Sequence, residues 1–203
     1  MLRNLILSSI LFSSILCGSY FIKIGKSSSS NTVLNLEIRT TQHGNYPAES
    51  VQEGFAELGW KSGNFDSPNR FRAFYMAYSG YDKYGLGGSY TISGYGCGIE
   101  SKISKNNSHY FSLDWLLNRE FYDYDDFSVG EWGILDKIYT YPETYFGFAV
   151  GIGTYLNKNV TIELNYKNHN QVHFSEFPYN TTFWWSFNYK RSGFSASISL
   201  DLF

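Results

Sequence analysis

Four stretches of the chain alternate apolar and polar side chains with a period of two, the signature of a half-buried strand. Tyr110–Asn118 sends Phe111, Leu113, Trp115 and Leu117 one way and Ser112, Asp114 and Asn118 the other, with Leu116 among the polar set. Tyr145–Gly153 sets Phe146, Phe148, Val150 and Ile152 against Gly147, Ala149, Gly151 and Gly153. Val160–Lys167 separates Val160, Ile162, Leu164 and Tyr166 from Thr161, Glu163, Asn165 and Lys167. Phe194–Leu202 separates Phe194, Ala196, Ile198, Leu200 and Leu202 from three Ser and Asp201. Weaker alternation over 32–41, 52–61, 70–79, 86–100, 130–140 and 181–190 brings the candidate strands to ten. No long window carries a helical period, and the nearest, Glu49–Leu58, is weak. Asn157-Lys158-Asn159 and Lys190-Arg191-Ser192-Gly193 have tight-turn composition, so the runs they join read as antiparallel hairpins. The gaps 41–51, 61–69 and 119–130 read as longer loops, the last acidic and aromatic.

The first 19 residues break this pattern. Arg3 precedes an apolar, Ser-diluted run from Leu5 to Leu16, and Cys17, Gly18 and Ser19 are small enough for a peptidase site. This is the arrangement of a secretory signal peptide cut after Gly18 or Ser19. Lipidation at Cys17 is the alternative, against which Leu16 stands where a lipoprotein motif prefers a small residue. Residues 20–31 end in Lys26-Ser27-Ser28-Ser29-Ser30-Asn31 and read as a flexible Ser-rich linker, leaving 32–203 as one domain.

Composition decides which way the strands face. Charged residues are 17% and aromatics 20%, through 18 Tyr, 17 Phe and 5 Trp. That load excludes a disordered chain. Two Cys exclude a disulfide scaffold, and 16 basic against 18 acidic residues argue against a nucleic-acid binder. Past residue 24 no apolar run approaches the roughly 20 residues a membrane-spanning helix needs. A soluble β-sandwich would place the apolar faces inward, and a transmembrane barrel would place them toward lipid. The polar faces here carry Gly and Ser where a solvated face would carry Lys and Glu, which suits the crowded interior of a small barrel. Trp60, Trp132, Tyr139, Tyr141, Tyr179, Trp184 and Trp185 fall where strands should end, as interface aromatics do.

The alternating last strand and the terminal Phe203 make the chain resemble the small outer-membrane β-barrel proteins of Gram-negative bacteria, the OmpA-like transmembrane domains and opacity-type porins. Phe203 falls one residue out of the alternating register. Gly147–Tyr166 also resembles that family's Gly-rich strand, short turn and aliphatic strand. The resemblance implies an all-β, antiparallel up-and-down transmembrane barrel of eight strands, with ten the alternative. It implies the bacterial outer membrane as location. It implies outer-membrane lipid as surroundings, and the barrel assembly machinery as a partner reading the last strand.

Asp114 and Glu163 face inward under this reading, and buried carboxylates need partners. Lys167, Arg72 and Arg39 are the candidates, and Asp114, Glu163 and Lys167 are expected in a luminal polar network that fills the barrel. The best catalytic cluster is His173, Ser175 and Glu176, whose His-x-Ser spacing resembles that of outer-membrane lipid A deacylases. Glu176 stands where those enzymes have Asn, and Phe187 where an acidic partner is expected. A polar strand end explains the same residues. His43 and His109 are isolated, the Asp123–Asp126 cluster lacks the Gly and closing Glu of a calcium loop, and no metal or cofactor is expected. The function these features imply is a structural or surface-interaction barrel that meets extracellular partners through its loops. The alternatives are a narrow porin or a barrel for a small or lipidic ligand, the lipid A hydrolase, and a secreted soluble β-sandwich.

Overall fold

The computed structural model describes residues 18–38, 41–82, 88–103, 108–123, 127–128, 134–135, 143–176 and 185–202, with side chains in 31–50, 81–90, 120–143 and 169–190 outside that description. Ten strands follow in chain order: β1 (Gly18–Ile38), β2 (Thr41–Ser62), β3 (Asn69–Asp82), β4 (Gly88–Lys102), β5 (His109–Asp123), β6 (Phe127–Ser128), β7 (Ile134–Leu135), β8 (Glu143–Tyr155), β9 (Val160–Glu176) and β10 (Trp185–Leu202). Eight of them close into a barrel in the order β1-β10-β9-β8-β5-β4-β3-β2, and every wall pairing is antiparallel. β6 and β7 pair only with each other. Closure gives each of the eight wall strands a neighbour on both sides.

The wall is staggered. Stepping through paired residues from Ser30 leads to Ser192, Asn168, Phe148, Trp115, Cys97, Ala73, Trp60 and back to β1 at Tyr20, ten residues before the start. Strand tilt follows from such a stagger, and in barrels of this class it is about 35–45°.

The period-two pattern sorts the two faces. Outward stand Ile22, Phe71, Trp115, Phe146, Leu164 and Phe194, with Phe146 69% and Phe194 72% exposed. Inward and buried stand Lys23, Glu57, Arg72, Asp114, Glu163 and Asp201. This is the reverse of a soluble protein, in which large apolar residues pack inside and charges face water. The faces read from sequence on β5, β8, β9 and β10 are the faces the structure has.

Three parts of the wall differ from the sequence expectation. Residues 20–31 are not a linker but the lower half of β1, hydrogen-bonded to β10 on one side and β2 on the other. The serines fit because Ser27 and Ser29 turn inward, where little space remains, and Ser28 and Ser30 turn outward. From the 32–41 run, residues 32–38 continue the same strand, and 41–51 is strand, not loop. Lys190–Gly193 is not a turn: 185–190 and 194–202 meet in the single β10, which has a register shift between Tyr189 and Arg191. Merging these runs, with β7 the described part of the 130–140 run and outside the wall, takes the ten candidates to eight wall strands.

Glycine supplies the room that large luminal side chains need. A Cβ on Gly98 would overlap the Asp114 carboxylate and the Leu113 carbonyl, whereas a Cβ on outward Gly54 would meet nothing. Gly98→Ala is therefore expected to cost about 1–3 kcal/mol by overpacking. Gly54→Ala should stay within about 0.5 kcal/mol of the parent. Denaturant midpoints in detergent micelles check both, and equal midpoints would contradict the packing.

Candidate functional site

The inward ends of the polar positions converge on one network that runs the length of the lumen. Six cations (Lys23, Lys61, Arg70, Arg72, Lys167, Arg191) and six anions (Glu53, Glu57, Glu100, Asp114, Glu163, Asp201) are buried there, so their formal charges cancel among the described residues. Burial of an ion in a low-dielectric interior is costly unless paired, and the pairing here is extensive.

At mid-height Arg72, fully buried on β3, holds both oxygens of Asp114 on β5: its Nε donates to Oδ1 at 2.6 Å and its Nη2 to Oδ2. Its Nη1 donates to Glu163 on β9 at 2.8 Å. Lys23 of β1 joins Glu163 at 2.8 Å and Glu57 of β2 at 3.0 Å. Glu163 also accepts from the Tyr110 hydroxyl at 2.9 Å and from the Asn165 amide at 2.7 Å. Glu163 is thus the hub, with partners from β1, β3, β5 and its own strand.

Nearer the chain termini, Lys61 and Arg70 each lie 3.0 Å from Asp201, and they lie 3.4 and 3.7 Å from Glu100. Arg70 also donates to the Ser19 hydroxyl at 2.7 Å, and Tyr155 donates to Glu100. Nearer the other end, Lys167 pairs with Glu57 at 3.4 Å and donates to the Tyr78 hydroxyl, which donates onward to Glu57 at 3.2 Å. Glu53 lies 3.6 Å from Arg191 and accepts from Ser27 and Ser29. Phe55 stacks on Tyr78 with ring centroids 5.0 Å apart, adding an aromatic layer beside Lys167. An eight-stranded barrel leaves an interior just wide enough for side chains, and these side chains occupy it.

Asp114, Glu163 and Lys167 all lie in this network, but Lys167 pairs with Glu57 and not with Glu163, whose oxygens are already taken by Arg72, Lys23, Tyr110 and Asn165. Arg72 is the partner of both acidic residues, and Arg39 lies outside the described residues. Sequence reading missed Lys23, Glu53, Glu57, Lys61, Arg70, Glu100, Arg191 and Asp201 as partners. The available signal was parity: Glu53, Glu57 and Lys61 share one face of β2, and Arg70 and Arg72 one face of β3.

Trp60 stands on the outward face beside its registered partner Tyr20, near the terminal end of the wall. The side chains of Trp132, Tyr139, Tyr141, Tyr179, Trp184 and Trp185 lie outside the described residues. His173, Ser175 and Glu176 belong to β9 by backbone, opposite Asn188, Ser186 and Trp185 of β10, and their side chains also lie outside the description. Among the described residues no three His, Cys, Asp or Glu side chains stand together as a metal set. Cys97 is a free thiol on the outward face.

No protein-family model and no curated protein matches the chain. Solved structures do. Neisserial surface protein A aligns with a TM-score of 0.52 and 13% identity over 91% of this chain and 99% of its own. The outer membrane protein OprG of Pseudomonas aeruginosa aligns with a TM-score of 0.50 and 8% identity over 89% of this chain and 96% of its own. Identities this low speak for the backbone arrangement alone, and it agrees with the closed, antiparallel, inside-out wall described above. The chain has the fold of the small β-barrels of bacterial outer membranes.

Proposed function

We propose that the protein is an integral outer-membrane barrel with a side-chain-filled lumen, anchored by its apolar outer face and serving a structural or surface-interaction role. The carrying observation is the reversed sorting of side chains: large apolar residues outward, a charge-balanced ion network inward. A soluble protein could not keep that outer face in water without associating. The filled lumen argues for anchoring and against passage of solutes.

The ends of the wall differ. Gly18 and Leu202, the connections at 63–68 and 156–159, and the facing ends of β4 and β5 lie at one end. The loop-side ends of β3, β4, β5, β8, β9 and β10 lie at the other. Outer-membrane barrels have short periplasmic turns and longer extracellular loops, so the terminal end is the periplasmic one in this reading. The 61–69 connection then faces the periplasm, and the first residues of the expected 119–130 loop are the end of β5. β1 and β2, with 21 and 22 residues against 13–15 in β3, β4, β5 and β8, carry the wall outward on that side. These two projecting strands form the surface offered to an extracellular partner. Export by the segment that precedes Gly18, since Gly18 and Ser19 belong to β1 and not to the expected leader, and recognition of β10 by the barrel assembly machinery complete the reading.

The test is gel mobility of membrane-extracted protein with and without boiling, alongside carbonate washing of the membranes. The expected result is a heat-shifted band that carbonate leaves in the membrane, with no stepwise conductance in planar bilayers. Recovery in the soluble fraction without a heat shift would overturn the membrane reading. Open-pore conductance would overturn the filled lumen.

A further inference from the structure

Not every described cation joins the lumen. Lys26 of β1 is exposed on the outward face, between Gly54 of β2 and Ala196 of β10 in the registered row. No carboxylate of the described residues lies within ion-pair distance of it. Along β1 the outward residues before it are Tyr20, Ile22 and Ile24, and those after it are Ser28 and Ser30. The ten-residue stagger over eight strands means that a horizontal level climbs slightly more than one residue per strand relative to the registered row. Lys26 therefore stands level with Phe194 and Tyr166, the last outward apolar residues of β10 and β9 before Ser192 and Asn168. It sits at the loop-side rim of the apolar belt.

Two apolar grooves diverge from this point, and both are lined by Lys26 and Ala196. One, of about 590 Å³, runs sideways past Phe194, Leu164, Tyr166 and Val150. The other, of about 510 Å³, runs toward the terminal end past Ile24, Ile198 and Ile162. The small side chain of Ala196 forms their shared floor. On the loop side of Lys26, Gln52 donates to Ser28 at 3.1 Å, and both line the first groove. One cation with two hydrogen-bonding neighbours at the rim, opening onto two apolar channels, matches one negatively charged phosphate carrying two acyl chains.

From this arrangement we infer that the outer wall holds an anionic, phosphate-bearing acyl lipid of the loop-side leaflet, its phosphate on Lys26, Ser28 and Gln52 and acyl chains in the two grooves. The inference rests on the membrane reading above. Long basic side chains at a membrane rim also reach generally toward headgroups and water. Selectivity for one charged lipid separates the two behaviours.

The experiment uses the full chain, folded in detergent micelles and titrated with phosphatidylglycerol or phosphatidylcholine of matched chains. Native mass spectrometry counts the lipids retained, and the heat-dependent gel shift is checked for every variant. The parent should retain one phosphatidylglycerol in preference to phosphatidylcholine. Lys26→Gln should weaken that retention about fivefold, roughly the weight of one basic residue facing anionic lipid, and abolish the preference. Lys158→Gln, in the exposed 156–159 turn, should leave it unchanged. Ala196→Phe fills the shared floor and should abolish retention of both lipids, with Ala196→Leu taking its place if the Phe variant does not fold. Unchanged preference in Lys26→Gln, or unchanged retention in the filled-floor variant, overturns the inference while the barrel stands. Absence of the heat shift in the parent overturns the membrane reading itself.

Discussion

Arg72→Leu is expected to lower the folding stability of the barrel by about 3–5 kcal/mol, the range for removing one partner of a buried ion pair. Arg72 is the only ion-pair partner of Asp114 among the described residues, and it supplies one of the two cations on Glu163. Its loss leaves five cations facing six anions in the lumen, with Asp114 uncompensated. The measurement is the guanidinium midpoint of the variant in detergent micelles, followed by intrinsic fluorescence and by the heat-dependent gel shift. A parental midpoint would show that the network contributes nothing to closure.

The same physics makes the effect non-additive. Arg72→Leu/Asp114→Leu removes both members of a pair and restores charge balance at five and five. A buried charge left alone costs more than a pair replaced by apolar groups. The double variant should therefore be less destabilised than the two single changes summed, with a coupling of about 1–3 kcal/mol. Glu163→Leu should be destabilising as well, because it leaves Lys23 with Glu57 alone and Arg72 without its second close carboxylate, and six cations facing five anions. Additive losses would mean that the two side chains act separately.

The parts of this network legible in the sequence were those on strands whose outward face is strongly apolar. On β5 and β9, Trp115, Leu117, Ile162 and Leu164 fix the lipid side, so Asp114 and Glu163 fall inside by parity. β1 hid because Ser27–Ser30 offers no apolar contrast. A serine run is flexible when alone, yet regular when β2 and β10 supply hydrogen bonds on both sides. Lys23 was hidden with it. Its contact with Glu163 spans 140 residues and exists only because β1 closes against β10, beside β9. The Lys167–Glu57 pair also crosses the lumen, and no spacing along the chain encodes such a distance. Fold and facing were therefore readable locally, whereas partner identity depended on barrel closure and stagger.

The second large effect is expected on the other face. Leu164 is 54% exposed, between Ala196 and Ile152 in the registered row and below the rim marked by Tyr166. If lipid covers this face, Leu164→Arg places a charge within the hydrocarbon and should cost about 2–4 kcal/mol near the bilayer midplane. Val160→Arg, four residues earlier at the terminal end of the same strand, should cost only about 0–1 kcal/mol, because its guanidinium reaches the interface. Refolding into phospholipid vesicles, with urea titration of both variants, reads the difference directly. A soluble barrel with solvent on this face would respond in the opposite sense: both arginines would be nearly silent, since surface substitutions usually stay within about 0.5 kcal/mol. The depth dependence thus separates the two environments more sharply than either variant alone. A shared folding defect would lower both midpoints equally, whereas the thickness of the hydrocarbon layer distinguishes positions four residues apart on one strand.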